Sequence, residues 1–167
     1  MDRGRIYQFV RYCCSFNGIR EGTEEHKRII DTYNRIRPLP AGYEVKYTDP
    51  WCCVFVSFCF RTFFPQWIFP YECSCERMLK AMTALGRHRL HVRAHRRGYQ
   101  LDYEPVPGDV VFYNFTGVGA PTHTGIVISA DPENVRVIEG NYSDSVGIRQ
   151  AKKTAMYIYG YFQPFEV

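Results

Sequence analysis

The sequence predicts an α+β fold, with helices in the first half of the chain and an antiparallel sheet in the second. Up to about residue 85, apolar side chains recur at the helical spacing. From Pro107 onwards, short runs rich in β-branched and aromatic residues are separated by Gly, Pro, Asn and Asp, as in strands and turns. One helix is apolar on nearly every side, so we expect it to be buried against the sheet.

The first two helices are predicted to be amphipathic, each with one apolar face. The first is expected to end at Gly18, and the second to begin at an N-cap on Thr23 and to stop before Pro38. Their predicted core-facing residues are Ile6, Phe9, Val10, Cys13 and Cys14 in the first helix and Ile29, Ile30 and Tyr33 in the second.

The third helix is the apolar one. Asp49 is a favourable N-cap residue and Pro50 a favourable first helical residue, so we expect the helix to begin there and to run to about Thr62. Cys52 then lies in its first turn, where the helix dipole and unpaired backbone N–H groups favour a thiolate.

A fourth helix and five strands complete the prediction. The helix is expected from Cys75 to Leu85, with an N-cap at Ser74. The expected strands are Val110 to Phe115, His123 to Ser129, Val135 to Glu139, Val146 to Gln150 and Met156 to Phe162. Hydrophobic residues make up 46% of the chain, which suffices for one packed core, and we expect residues 1–167 to form a single domain and a monomer.

The seven cysteines contain no CxxC pattern, and this argues against both a zinc site and a disulfide framework. We expect reduced thiols, with one of them reactive. Cys52 is the best placed; Cys73 and Cys75, near the start of the fourth helix, are its competitors, and burial as a small hydrophobic residue is the alternative for each.

His123 is the candidate base, because it is the one histidine in the predicted β region. Glu139 and Asn141 are two residues apart and would share a face of the next strand. If the hairpin between these strands has an odd loop of five residues, Asn141 stands opposite His123, whereas a slip of one residue would undo the alignment. Gly125 is expected to leave room for another element, such as the helix with Cys52.

Five short motifs follow one another along nearly the whole chain. They are Asp49-Pro50-Trp51-Cys52 running into Phe55-Val56-Ser57, Pro107-Gly108-Asp109-Val110-Val111-Phe112, His123-Thr124-Gly125-Ile126-Val127, Ile138-Glu139-Gly140-Asn141 and Ile158-Tyr159-Gly160-Tyr161. Together they resemble the CHAP domain (cysteine, histidine-dependent amidohydrolase/peptidase), a relative of the NlpC/P60 peptidases.

The resemblance implies a papain-like fold in which the sheet packs on the buried helix. It places the nucleophile at Cys52, the base at His123, and the acidic and amide partners at Glu139 and Asn141. It also implies a peptidoglycan hydrolase, either an amidase or an endopeptidase. The calcium loop of some phage members has no Asp-x-Asp counterpart here, so we expect neither a metal nor a cofactor.

Two alternatives stay open at this point. The same Cys-His pair serves a cysteine acyltransferase or a protease that acts on a protein. A different class is a non-catalytic anion-binding module that works through the basic run from Arg87 to Arg97, which holds five arginines and no acidic residue.

Three residues are candidates for binding the substrate. Arg93 and Arg96, in the basic run, would contact an anionic wall polymer rather than nucleic acid, although a solvated face is the simpler interpretation of such a run. Trp51 would form a wall of the cleft, with packing beside the helix start as the alternative.

The N-terminal sequence has no apolar h-region of the kind found in a signal peptide. The longest apolar run, Cys52 to Phe60, is about half of the ~20 residues that a membrane span needs, so no insertion into a membrane is expected. With the resemblance, this predicts synthesis in a bacterial cytoplasm. Action on the wall would follow lysis, holin release or injection, as for a phage lysin or a secreted effector.

Overall fold

The structure is a computed structural model, and it describes residues 1–66, 69–86, 89–92 and 103–165. Within these ranges the helices are α1 (Arg3–Cys14), α2 (Glu24–Asn34), α3 (Cys52–Phe63) and α4 (Cys75–Leu85). The strands are β1 (Leu90–Val92), β2 (Val110–Tyr113), β3 (His123–Ala130), β4 (Asn134–Glu139), β5 (Gly147–Lys152) and β6 (Ile158–Phe162). The predicted α+β class is confirmed.

The six strands form one sheet in the order β1-β6-β2-β3-β4-β5, and all neighbours are antiparallel. The helix α3 is buried along its length from Cys52 to Phe60, as its apolar sequence predicts. It shares a core with one face of the sheet, to which β3 contributes Ile126 and β4 contributes Ile138. A second apolar cluster, which includes Val127 and Val137, lies on the opposite face.

The predicted caps of α2 and α4 are confirmed. Thr23 Oγ1 accepts a hydrogen bond from the backbone N–H of His26 at 3.3 Å, and Ser74 Oγ accepts one from Arg77 at 3.5 Å. Each hydroxyl thereby pairs a backbone donor that the helix itself leaves unpaired.

The predicted start of α3 is wrong by two residues. Its N-cap position is Trp51, which makes no side-chain cap, and Pro50 precedes the helix. The Asp49 carboxylate instead accepts hydrogen bonds from the backbone N–H of Lys46 and the hydroxyl of Tyr43, both at 2.8 Å. These two local donors close the turn before the helix.

Two further boundaries differ from the prediction. The helix α1 ends at Cys14, and Gly18 lies beyond it with a φ of 92° and its N–H bonded to the carbonyl of Val146 at 2.8 Å. The strand β1 lies inside the basic run, where no strand was expected, and pairs with β6. Arg93 and Arg96 lie outside the described residues. None of the described helices combines the length and apolar character needed to cross a membrane.

The hairpin of β3 and β4 contains a bulge that sets the register at the site. Near the turn Ala130 pairs with Val135, so the loop between paired residues has an even length, and the condition of an odd loop is not met. A register shift between Val127 and Ser129 adds one residue to β3. Beyond the bulge Ile126 pairs with Ile138, which is the register that the odd loop would have produced.

Gly140, just after β4, allows the end of this strand to contact the start of α3. A Cβ atom there would overlap the Cβ of Phe55 and lie 3.0 Å from Cε3 of Trp51. We therefore expect Gly140→Ala to lower the free energy of unfolding by about 1–3 kcal/mol, measured by urea denaturation. Gly4→Ala, at an exposed position in α1, is the matched control and should be neutral or stabilising by about 0.5–1 kcal/mol. Equal stability of the two variants would contradict the close contact.

Candidate active site

Cys52 is the first residue of α3, and Cys75 is the first residue of α4. Their Sγ atoms are 3.8 Å apart, and Sγ of Cys53 lies 3.2 Å from that of Cys75. The two helices thus bring three thiols together. All three are free cysteines in the structure.

The surroundings of Cys52 favour its thiolate. Hydrogen bonds from the thiols of Cys53 and Cys75, together with the interaction with His123, hold the pKa of Cys52 well below its usual value despite burial. Burial raises the pKa of Cys53 well above the usual value, so the vicinal thiol stays protonated and acts as a donor. Of the two thiols at the start of α3, Cys52 is therefore the one whose surroundings favour the thiolate.

His123, the first residue of β3, interacts with both Cys52 and Glu139. Its Nε2 is 2.9 Å from Oε2 of Glu139, which leaves Nδ1 as the ring nitrogen for Cys52. Burial favours the neutral ring, but the hydrogen bonds to Cys52 and Glu139 outweigh it and raise the pKa of His123 to about 9. The arrangement therefore favours a thiolate-imidazolium pair near neutral pH.

Glu139 reaches His123 across a glycine. In the observed register Glu139 stands opposite Gly125. His123 precedes Gly125 by two residues on β3 and therefore lies on the same face. A Cβ on Gly125 would lie 2.7 Å from Cγ of Glu139 and 2.6 Å from Cγ1 of Val137. The room that Gly125 provides is therefore used by the side chains of β4, and not by α3 as expected.

Arg149, on β5, is a member of this network that sequence reasoning missed. Its Nε donates to both carboxylate oxygens of Glu139, at 2.8 and 3.1 Å. Glu139 is fully buried, whereas the Arg149 side chain is 22% exposed, so the ion pair connects the interior to the cleft. The guanidinium also lies over the rings of Tyr113, Phe115 and Tyr142, at 4.7 to 5.3 Å from their centroids.

The sequence contains an indication of the role of Arg149, but it can be interpreted only when the pairing register of β4 and β5 is known. Arg149 pairs with Val137, two residues from Glu139, and so belongs to the same face as the carboxylate. A basic residue inside a predicted strand is a candidate partner for a buried acid on the neighbouring strand. Only the pairing of β4 with β5 identifies which acid it contacts.

Asn141 lies beside the site without bonding to His123. It has a φ of 55° and follows the end of β4, so the strand alternation stops at Glu139 and the expected shared strand face is wrong. In the described part of the chain no hydrogen bond joins Asn141 to His123. Both residues line an open cavity of about 450 Å³, together with Phe115, Thr122, Tyr142, Ser143 and Arg149.

Trp51 does not face the cleft. It is fully buried, its Nε1 donates to Oε2 of Glu21 at 2.9 Å, and its ring lies 4.6 Å from that of His26. The expected contact with substrate is therefore wrong, and packing beside the helix start describes its role. Trp51 fixes the start of α3, and with it Cys52, against α2.

Removing Arg149 tests whether the buried carboxylate depends on its ion pair. Arg149→Gln leaves the fully buried carboxylate of Glu139 without its permanent counter-ion, so we expect a loss of about 3 kcal/mol in the free energy of unfolding. Arg136→Gln, at an exposed position of β4, removes the same charge and should change it by no more than about 0.5 kcal/mol. Urea denaturation of both variants measures the difference, and equal effects would mean that the Glu139 ion pair contributes nothing specific.

Comparison with protein-family models gives a match over residues 42–141, to the CHAP domain. This stretch is more than half of the 167 residues and includes Cys52, His123, Glu139 and Asn141. The resemblance found in the sequence motifs is confirmed. A search of curated proteins gave no match.

Proposed function

The chain belongs to the CHAP domain family of cysteine- and histidine-dependent amidohydrolases and peptidases, and from this premise we propose that it hydrolyses amide bonds in peptidoglycan. Cys52 is the proposed nucleophile, His123 the base and Glu139 the group that orients His123. One observation carries the assignment: His123 lies between the activated thiol of Cys52 and the buried carboxylate of Glu139, 2.9 Å from the latter.

In the first half of the proposed reaction, the Cys52 thiolate attacks the carbonyl carbon of the amide and forms a C–S bond. The oxygen takes up the negative charge, and the backbone N–H of Cys52 at the start of α3 is the proposed donor to it. The C–N bond then breaks, and the imidazolium of His123 gives its proton to the leaving amine. The products of this half are a free amine and a thioester on Cys52.

In the second half, neutral His123 takes a proton from a water molecule, which attacks the thioester. The C–S bond breaks, the acid product leaves and the thiolate-imidazolium pair forms again. Throughout, the Glu139 carboxylate accepts the Nε2–H of His123, so that Nδ1 stays directed at the thiol. Arg149 holds the carboxylate in place.

We also propose that the whole chain acts as one domain. The helices α1 and α2 precede the matched stretch, yet their residues Phe9, Ile30 and Tyr33 belong to the same apolar core as α3 and the sheet. A core shared between these segments is the physical reason to treat them as a unit.

Digestion of purified sacculi tests the function. Mass spectrometry of the released fragments should show new amino and carboxyl termini, and these identify the bond that is cut, either the amide to the sugar or one within the stem peptide. Release should disappear with Cys52→Ala and persist with Cys14→Ala, a half-buried thiol on α1. Fragments joined to an added amine would indicate acyl transfer, and cleavage of proteins with intact sacculi would indicate a protease.

Substituting the two vicinal thiols separately should distinguish their roles. Cys52→Ala is expected to lower kcat by on the order of 10⁴-fold or more, because it removes the nucleophile. Cys53→Ala should retain most turnover at alkaline pH. Its acid limb should move to higher pH, because the hydrogen bond from Cys53 lowers the pKa of Cys52. Rates measured from pH 5 to 9 on folded variants test both, and an active Cys52→Ala beside an inactive Cys53→Ala would refute the assignment.

Glu139 should matter more to the rate than Asn141. Glu139→Gln keeps the shape and removes the charge, so we expect a loss of about a hundredfold. Since the bond to Glu139 raises the pKa of His123, its removal should lower that pKa and move the alkaline limb to lower pH. Asn141→Ala should cost less and leave the titration of His123 unchanged.

The rates of both variants and the pKa of His123, followed by NMR, are the measurements. A Glu139→Gln enzyme of normal rate beside a crippled Asn141→Ala would indicate a Cys-His-Asn arrangement in place of the one proposed.

A further inference from the structure

The three thiols at the starts of α3 and α4 form a cluster with the dimensions of a metal site. The Sγ atoms of Cys52, Cys53 and Cys75 all lie within 4.8 Å of one another. The separation is 3.8 Å between Cys52 and Cys75 and 3.2 Å between Cys53 and Cys75. No CxxC motif marks this cluster in the sequence, because Cys52 and Cys53 belong to α3 whereas Cys75 belongs to α4.

These distances fit tetrahedral coordination by sulfur. A zinc ion binds thiolate sulfur at about 2.3 Å, which places two such sulfur atoms roughly 3.8 Å apart. The Cys52–Cys75 pair has this separation already, and the Cys53–Cys75 pair has to open by about half an ångström. The side chain of Cys52 interacts with His123, so the cluster lies next to the imidazole.

We propose that Cys52, Cys53 and Cys75 form a binding site for a thiophilic divalent ion, with zinc as the representative. Soft thiolate ligands select such ions over the hard cations that oxygen ligands bind. All three sulfur atoms bind as thiolates, so the ion displaces to solvent any proton that these thiols carry. Three thiolates and one divalent ion leave a single negative charge on the cluster.

The ion has a route to the cluster. Cys52 and Cys75 are 6% and 8% exposed, and any substrate of Cys52 has to approach the same sulfur. Occupancy of this site and acylation of Cys52 therefore exclude each other, because the ion holds the electron pair that would attack the amide. This consequence for activity rests on the proposed function, whereas binding of the ion does not.

The competing explanation is that the thiols only bond to one another and support the Cys52 thiolate. It predicts the same Sγ distances but no stoichiometric ion. Titration with zinc, and separately with cadmium, distinguishes the two explanations when it is done without substrate on the reduced full chain.

We expect one zinc ion per chain, measured by competition with a chromophoric chelator. Cadmium should give sulfur-to-metal charge-transfer absorption and a cadmium NMR shift typical of several thiolate ligands. Cys75→Ser should lose part of the absorption, because one of the three thiolate ligands is removed, and should bind at least about tenfold more weakly, since even residues that only bond to a metal ligand are worth that much.

Two further variants keep the result interpretable. Cys14→Ser, a half-buried thiol elsewhere, should bind like the parent protein. Cys53→Ser should weaken binding as Cys75→Ser does, with circular dichroism to show that both remain folded. Undiminished absorption in Cys75→Ser and Cys53→Ser, or none in the parent protein, would overturn the proposal.

Activity separates this inference from the function. An enzyme that digests sacculi but binds no ion would overturn the metal site alone. A chain that binds the ion but cuts no amide would overturn the proposed function and leave the site standing. If both hold, one equivalent of zinc should inhibit the parent enzyme, and a chelator should restore the rate.

Discussion

The buried carboxylate of Glu139 imposes the constraint that organises this region of the fold. A charge enclosed without partners would cost several kcal/mol, so its neighbours have to supply hydrogen bonds and positive charge. His123 contacts it from β3 and Arg149 from β5, while Gly125 leaves the space through which the carboxylate reaches the imidazole. The two strands that flank β4, namely β3 and β5, therefore each supply a partner for this one carboxylate.

The thiol of Cys52 belongs to α3, on one face of the sheet, whereas the Glu139 carboxylate lies on the other face. Gly140 faces α3 whereas Glu139 faces away from it, and His123 connects the two because it stands at the first residue of its strand. Because α3 is buried against the sheet, the position of Cys52 at its first residue is fixed. The imidazole of His123, at the end of its strand, interacts with the thiol from there. The pKa of each partner then depends on the other, and the two titrate as a unit.

Short-range sequence signals correctly predicted the features that depend on short-range interactions, such as helix caps. Hydroxyl caps at Thr23 and Ser74 formed as expected because the groups they pair lie within three residues. Asp49 failed as a cap because a tyrosine hydroxyl and a backbone N–H offered it competing bonds, and a residue pattern does not rank such competitors. Trp51 was misjudged for a related reason, since its partner Glu21 is thirty residues away.

The sequence by itself determined the fold class, the buried helix with Cys52 in its first turn, and the family, because periodicity, apolar character and ordered motifs are properties of the chain. The tertiary structure supplied the geometry of the bond between Glu139 and His123, which the resemblance only implied, and it alone showed that Arg149 neutralises the carboxylate and that Cys75 joins the other two thiols. The physical reason is the side-chain alternation of strands. One bulged residue in β3 shifts the whole register, and only the assembled sheet shows where that residue is.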